Sequence, residues 1–161
     1  MTGSGVDRTH LNLEAAQRLS QEADASLREA RDKSKTSDWA GAVKASQLCI
    51  ELSVKGTLKL CDVDFPPEHD VSERLASIPK KMEGIPDYIL EALARSRMAS
   101  KVWEPTHSLA VYGALDVGSS KLFKEWDAKA AVECASDAHN CLFWLIDLAN
   151  RNQLKPRVSS D

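Results

Sequence analysis

Two stretches near the start of the chain set the fold class. Leu13, Ala16, Leu19, Ala23, Leu27 and Ala30 recur at spacings of three and four, and so do Trp39, Val43, Ser46, Ile50, Val54 and Leu58. That period puts each set on one face of an α-helix. Between them Thr36-Ser37-Asp38 breaks the pattern, and Ser37 or Asp38 is suited to cap the next helix. Leu48, Cys49 and Leu52 widen the second stripe. A helix this apolar is expected to sit centrally, with two or more neighbours. Two helices of roughly 22 residues, each about 33 Å long, joined by a short turn make an antiparallel pair.

The rest of the chain continues in the same style. Phe65-Pro66-Pro67 closes the region after the second helix, and a short helix is expected over 70–76. Pro79 and Pro86 bracket a linker, and Asp87 is placed to cap a third long helix with Ile89, Leu90, Leu93, Ala94, Met98 and Val102 inward. Pro105 should end it, and 113–125 reads as a loop. A last helix is expected from about Trp126 to Asn150, with Ala130, Cys134, Ala138, Cys141, Leu145 and Leu148 on one stripe. Residues 1–11 and 151–161 read as tails, the second of them disordered from Asn152, and no stretch alternates with period two long enough for a strand. The expectation is an all-α protein: one domain over 12–150, an up-and-down bundle of four main helices plus a short extra helix.

Charge and composition exclude several functions. A net charge of −3 rules out a basic protein that coats nucleic acid and leaves room for a small, local RNA site. The longest nearly apolar run, Cys141 to Ala149, is far shorter than the roughly 20 residues that span a bilayer. The first residues lack the apolar core of a secretory signal, so a cytoplasmic location is expected, with no membrane partner. Cys49, Cys61, Cys134 and Cys141 form no CxxC pair and read as small, reduced core residues. No metal site, no cofactor and no DNA partner is expected.

The second helix carries Gln47, Glu51 and Lys55 at four-residue spacing, and His69 follows Lys55 by fourteen residues. Further on, Ala110-Val111-Tyr112-Gly113 precedes a loop and then the run from Trp126 to Ala135. In these features, over about residues 12–150, the chain resembles the HEPN domain family, small helical bundles named for nucleotide binding in higher eukaryotes and prokaryotes. The resemblance implies a homodimer and a role in binding a nucleotide or RNA, or in pairing with a partner such as a nucleotidyltransferase in a toxin–antitoxin system. Active members are metal-independent RNases with Arg, four to six residues, then His. The imidazole acts on the 2′-hydroxyl and the guanidinium holds the phosphate.

This chain departs from that dyad. Arg95 and Arg97 are followed by His107 only after eleven and nine residues. By register, the family's two positions fall near His107 and Tyr112, and a phenol with a pKa of about 10 is a poor base at neutral pH. The expectation is therefore a non-catalytic or weakly active binding or partner module. The alternatives are a divergent RNase using His107, Tyr112, and Arg95 or Arg97, and a plain helical adaptor. Gln47, Glu51 and Lys55 read either as a surface ladder with an ordinary ion pair or as a polar face turned into the bundle groove. His69 is either a neighbour of the Asp70 cap or a groove histidine, and His139 reads as a packed or surface residue. Arg95, Arg97 and Lys101 form a solvated helical face or a phosphate patch. Trp103, Leu109, Val111 and Tyr112 are candidate dimer contacts, and Trp103, Trp126 and Trp144 read as core or interface anchors.

Overall fold

The computed structural model describes residues 8–68, 70–106, 109–110, 113 and 118–158. Four long helices dominate: α1 (Arg8–Lys35), α2 (Trp39–Leu60), α4 (Asp87–Trp103) and α6 (Glu125–Asn150). A 3₁₀ helix at Ser72–Ser77 runs into the short α3 (Ile78–Lys81), a 3₁₀ turn at Glu104–Thr106 follows α4, and α5 (Ser119–Leu122) precedes α6. The bundle is the one the periodicity predicts. α2 and α6 pack on each other at its centre, with α1 on one side and α4 on the other. Val43, Cys49, Ile50, Val54 and Leu58 of α2 and Cys141, Leu142 and Leu145 of α6 are fully buried there.

Asp38 begins α2 by accepting from the Gly41 N–H at 2.9 Å. Three of the long helices, α1, α2 and α6, end alike. Ser37, Asp62 and Asn152 all have positive φ, of 61°, 54° and 55°. The next N–H reaches back to the last turn, Asp38 to the Lys33 carbonyl, Val63 to that of Leu58 and Gln153 to that of Leu148, each at 2.9 Å. This is the left-handed helix stop that favours Gly, built here from three other residues. Asn and Asp tolerate that conformation better than Ser does. Ser37→Gly is therefore expected to stabilise the fold by about 1 kcal/mol. Urea unfolding checks this, and an unchanged or lower midpoint would count against it.

Three expectations are corrected. First, the inward face of α4 is rotated. Ile89, Ala92, Leu93, Ser96, Ala99, Ser100 and Trp103 are buried, while Ala94 is exposed and Met98 and Val102 are 66% and 60% exposed. Small residues let α4 approach α2 and α6 closely, and that outweighs the larger apolar side chains. Pro86, and not Asp87, holds the N-cap of α4. Second, α6 buries Ala128, Ala131 and Ala135 in its first half, leaving Ala130 exposed and Cys134 half-buried. Third, the described chain past α6 folds back onto the bundle, and α1 begins within the stretch read as a tail. β2 (Lys155–Pro156) pairs antiparallel with β1 (Met82–Glu83). Leu154 is buried beneath this strap. Arg157 donates from its backbone N–H to the Lys81 carbonyl at 2.7 Å, and from Nε to the Pro79 and Met82 carbonyls at 3.1 Å. Gly84, at φ 84°, is what permits the crossing, since a Cβ there would lie 2.1 Å from the Gln153 carbonyl oxygen.

Among the described residues, no helix is long and apolar enough to cross a membrane.

Candidate functional site

Two of the polar residues singled out on α2, Gln47 and Glu51, line the seam where α2 meets the end of α4. Gln47 is buried and donates from Nε2 to the Glu104 carbonyl at 3.2 Å. Glu51 accepts from Lys55 Nζ at 2.6 Å, and these two side chains are only 23% and 22% exposed. The ladder is thus turned into the bundle, unlike a freely solvated i, i+4 pair. Gln47 and Glu51 border a cavity of ≈ 10 Å³ together with Ile50, Ser100, Trp103 and Glu104. That volume is room for about one water.

The 3₁₀ helix and the residues just before it supply the acids of the site. Asp70 Oδ1 accepts from the Ser72 N–H at 3.0 Å and from Ser100 Oγ at 2.8 Å, tying the loop to α4. Burial pushes the Asp70 carboxyl up, but the hydrogen bonds from Ser72 and Ser100 and the charge of Lys101 outweigh it and hold the group below its ordinary pKa. Glu73 pairs with Arg97 at 2.6 Å and also with Lys101. The Lys101 bond, more than Arg97, keeps the Glu73 carboxyl below its usual range. Two cations one helical turn apart therefore share one carboxylate, and the trio carries a net charge of +1.

Arg95 lies apart from Arg97 and Lys101. Two residues along α4, it turns toward α6, where it pairs with Glu91 at 3.8 Å and Asp137 at 3.7 Å. The basic cluster of the sequence is thus split between two faces. Trp103 is 8% exposed and is core rather than a dimer contact. Trp144 is half-buried and meets Tyr88 edge-on with ring centroids 5.3 Å apart, whereas Trp126 is 70% exposed. His139 lies in hydrogen-bond reach of the Ser20 carbonyl at 3.2 Å, packed against α1. His69, His107, Val111 and Tyr112 lie outside the described residues. Glu73, Ser100 and Glu104 join the site although nothing in their sequence context singles them out. Their roles depend on chain segments brought together by the fold.

Comparison with known proteins fits this architecture. The model of the HEPN domain matches residues 16–142. None of the curated proteins matches the chain. Among solved structures, TT1696 from Thermus thermophilus superposes with a TM-score of 0.58 at 22% identity, covering 81% of this chain and 97% of that one. ST0689, an archaeal HEPN homologue, does so with a TM-score of 0.57 at 24% identity and the same coverage. At these identities the two structures speak for the fold. With the family model spanning α1 to α6 and the helical bundle in place, the chain belongs to the HEPN domain family.

Proposed function

We propose that this protein is a non-catalytic HEPN module that pairs with a second copy through the outer face of α4 and holds RNA or a nucleotide beside that face. The observation that carries the reading is the composition of α4. Ala94, Met98 and Val102 form an exposed apolar stripe at four-residue spacing, Leu109 beyond it is also exposed, and Arg97 and Lys101 stand alongside. Met and Arg are enriched at protein interfaces, and an apolar stripe beside cations fits a symmetric pairing surface better than a solvated one. The Arg97–Lys101 pair is the local anion site that a chain of net charge −3 needs in order to hold phosphate. A nucleotidyltransferase is the heterologous partner in this reading, of the toxin–antitoxin type.

Sedimentation of the wild type should give a mass near that of two 17.7 kDa chains, and Met98→Asp should return it to one. A wild-type monomer at high micromolar concentration would overturn the pairing. Arg97→Ala and Lys101→Ala should each weaken binding of single-stranded RNA and lower its salt slope by about one. Glu73→Gln should tighten it, since it removes the charge that competes with phosphate. Incubation with RNA in chelator should give no cleavage. Cleavage that vanishes in His107→Ala would replace this reading with the divergent RNase.

A further inference from the structure

On the side of the bundle away from α4, the end of α1 and the start of α6 enclose a shallow groove of ≈ 410 Å³. Arg31, Ser34 and Lys35 form its α1 wall. Lys129, Val132, Glu133 and Ser136 form its α6 wall. The volume lies within the range of roughly 300–1,000 Å³ typical of small-molecule sites. Three cations and one acid line it, in a chain that is acidic overall. Arg31 reaches only the Ser136 hydroxyl, at 3.5 Å, and among the described residues it has no carboxylate partner. Lys129 pairs with Glu125 at 2.7 Å and Lys35 with Asp32 at 3.7 Å, both on open surface. Exposed pairs of this kind are worth only about 0–1 kcal/mol and exchange readily for a phosphate.

Trp126 precedes the groove residues on α6. Trp126, Lys129, Glu133 and Ser136 recur at spacings of three, four and three, which sets them along one face of α6. The indole is 70% exposed, so a large flat ring stands in solvent three residues before Lys129 of the groove. A helical rise of about 4.5 Å, three residues at ~1.5 Å each, separates it from Lys129, the scale of the sugar that joins a base to its phosphate. A Trp face stacks any base, and a guanidinium donates to two phosphate oxygens at once.

We infer that this groove is a nucleoside-phosphate site, separate from the α4 face, with the phosphate on Arg31, Lys35 and Lys129 and the base stacked on Trp126. The ligand is either a free nucleotide or the 5′-phosphorylated end of an RNA strand. Only the ligand chemistry is shared with the α4 reading, and the two sites can fail independently.

The test is an NMR titration of the full chain with AMP, adenosine, inorganic phosphate, a 5′-phosphorylated RNA oligonucleotide and an acidic peptide. AMP should bind at least about five times more tightly than adenosine or inorganic phosphate, because each carries half of the recognised group. Arg31→Ala should weaken AMP by about tenfold, and Trp126→Ala by about fivefold or more. Both residues lie on the surface, so circular dichroism should show an unchanged fold. Removal of an exposed cation at the far end of α6, Arg151→Ala, should leave AMP affinity as it is. An RNA end that binds more tightly than AMP through the same residues makes RNA the source, and equal affinities make it the free nucleotide. Unchanged AMP affinity in both groove variants, loss of AMP binding in Arg151→Ala, or a preference for the acidic peptide would each overturn the inference.

Discussion

Between about pH 9 and pH 12 this protein is expected to unfold in a transition that releases about three protons. Burial pushes the thiols of Cys49, Cys61 and Cys141 up to about 12. In the unfolded chain they ionise near their ordinary value of about 8.5. Raised folded pKa values act in one direction. The contribution is complete below the unfolded pKa and is lost as pH rises toward the folded one. Three such groups give a fall of about 4 kcal/mol per pH unit, the product of three protons and ~1.36 kcal/mol each. A domain stable by about 5–15 kcal/mol exhausts that margin within a few pH units. Urea midpoints measured across this range check the slope. Replacing any one of the three cysteines with Ala should lower the linked proton count by one, even if it also lowers stability at pH 7. Equal slopes in the wild type and all three variants would refute the assignment.

Gly56→Val is expected to cost about 3 kcal/mol, toward the upper end for an overpacked core. A Cβ at Gly56 would lie 2.6 Å from Leu142 Cδ2 and 3.3 Å from Leu19 Cβ, so α1, α2 and α6 come together at this point. Leu142 is fully buried and has no open space into which to swing. Gly56→Ala should be far milder, because the gain of about 1 kcal/mol in helix propensity offsets part of the clash. In a chain of this length a loss of about 3 kcal/mol lowers Tm by roughly 6–12 °C. Adding Leu142→Ala should recover part of the loss, making the pair non-additive. Strictly additive losses would show that the two positions do not compete for one space.

The helices of this fold are legible in the sequence because their stripes are long. α2 exposes only Leu48 among the apolar residues assigned to its face, and every assigned α1 residue is buried or half-buried. Hydropathy misplaces the inward face of α4 because it favours Met98 and Val102 over Ala92, Ser96, Ala99 and Ser100. What decides the face is how closely the backbones approach, and a rank order of side chains does not contain that. The strap past α6 leaves no signal, since two residues of strand have no period. The site is readable where it lies on one helix, as with Gln47, Glu51 and Lys55. Glu73 gives no such sign, because its partners are 24 and 28 positions away in the chain. Proximity in sequence groups Arg95 with Arg97, although a two-residue step moves roughly 200° around a helix.

The central position of α6 has a consequence for synthesis. α2 leaves the ribosome long before the helix that covers it, since Leu60 and Asn150 are 90 residues apart in the chain. At about 5–20 residues per second, the apolar face of α2 waits roughly 5–18 s for its second wall. α1 can shield one side during that interval, as the two helices are adjacent in the chain and pack extensively on each other. The other side, with Ile50, Val54 and Leu58, stays open to chaperones or to neighbouring nascent chains until translation has passed Asn150. A helical hairpin of α1 and α2 is therefore the natural intermediate on the ribosome, and the bundle closes only once α6 has emerged.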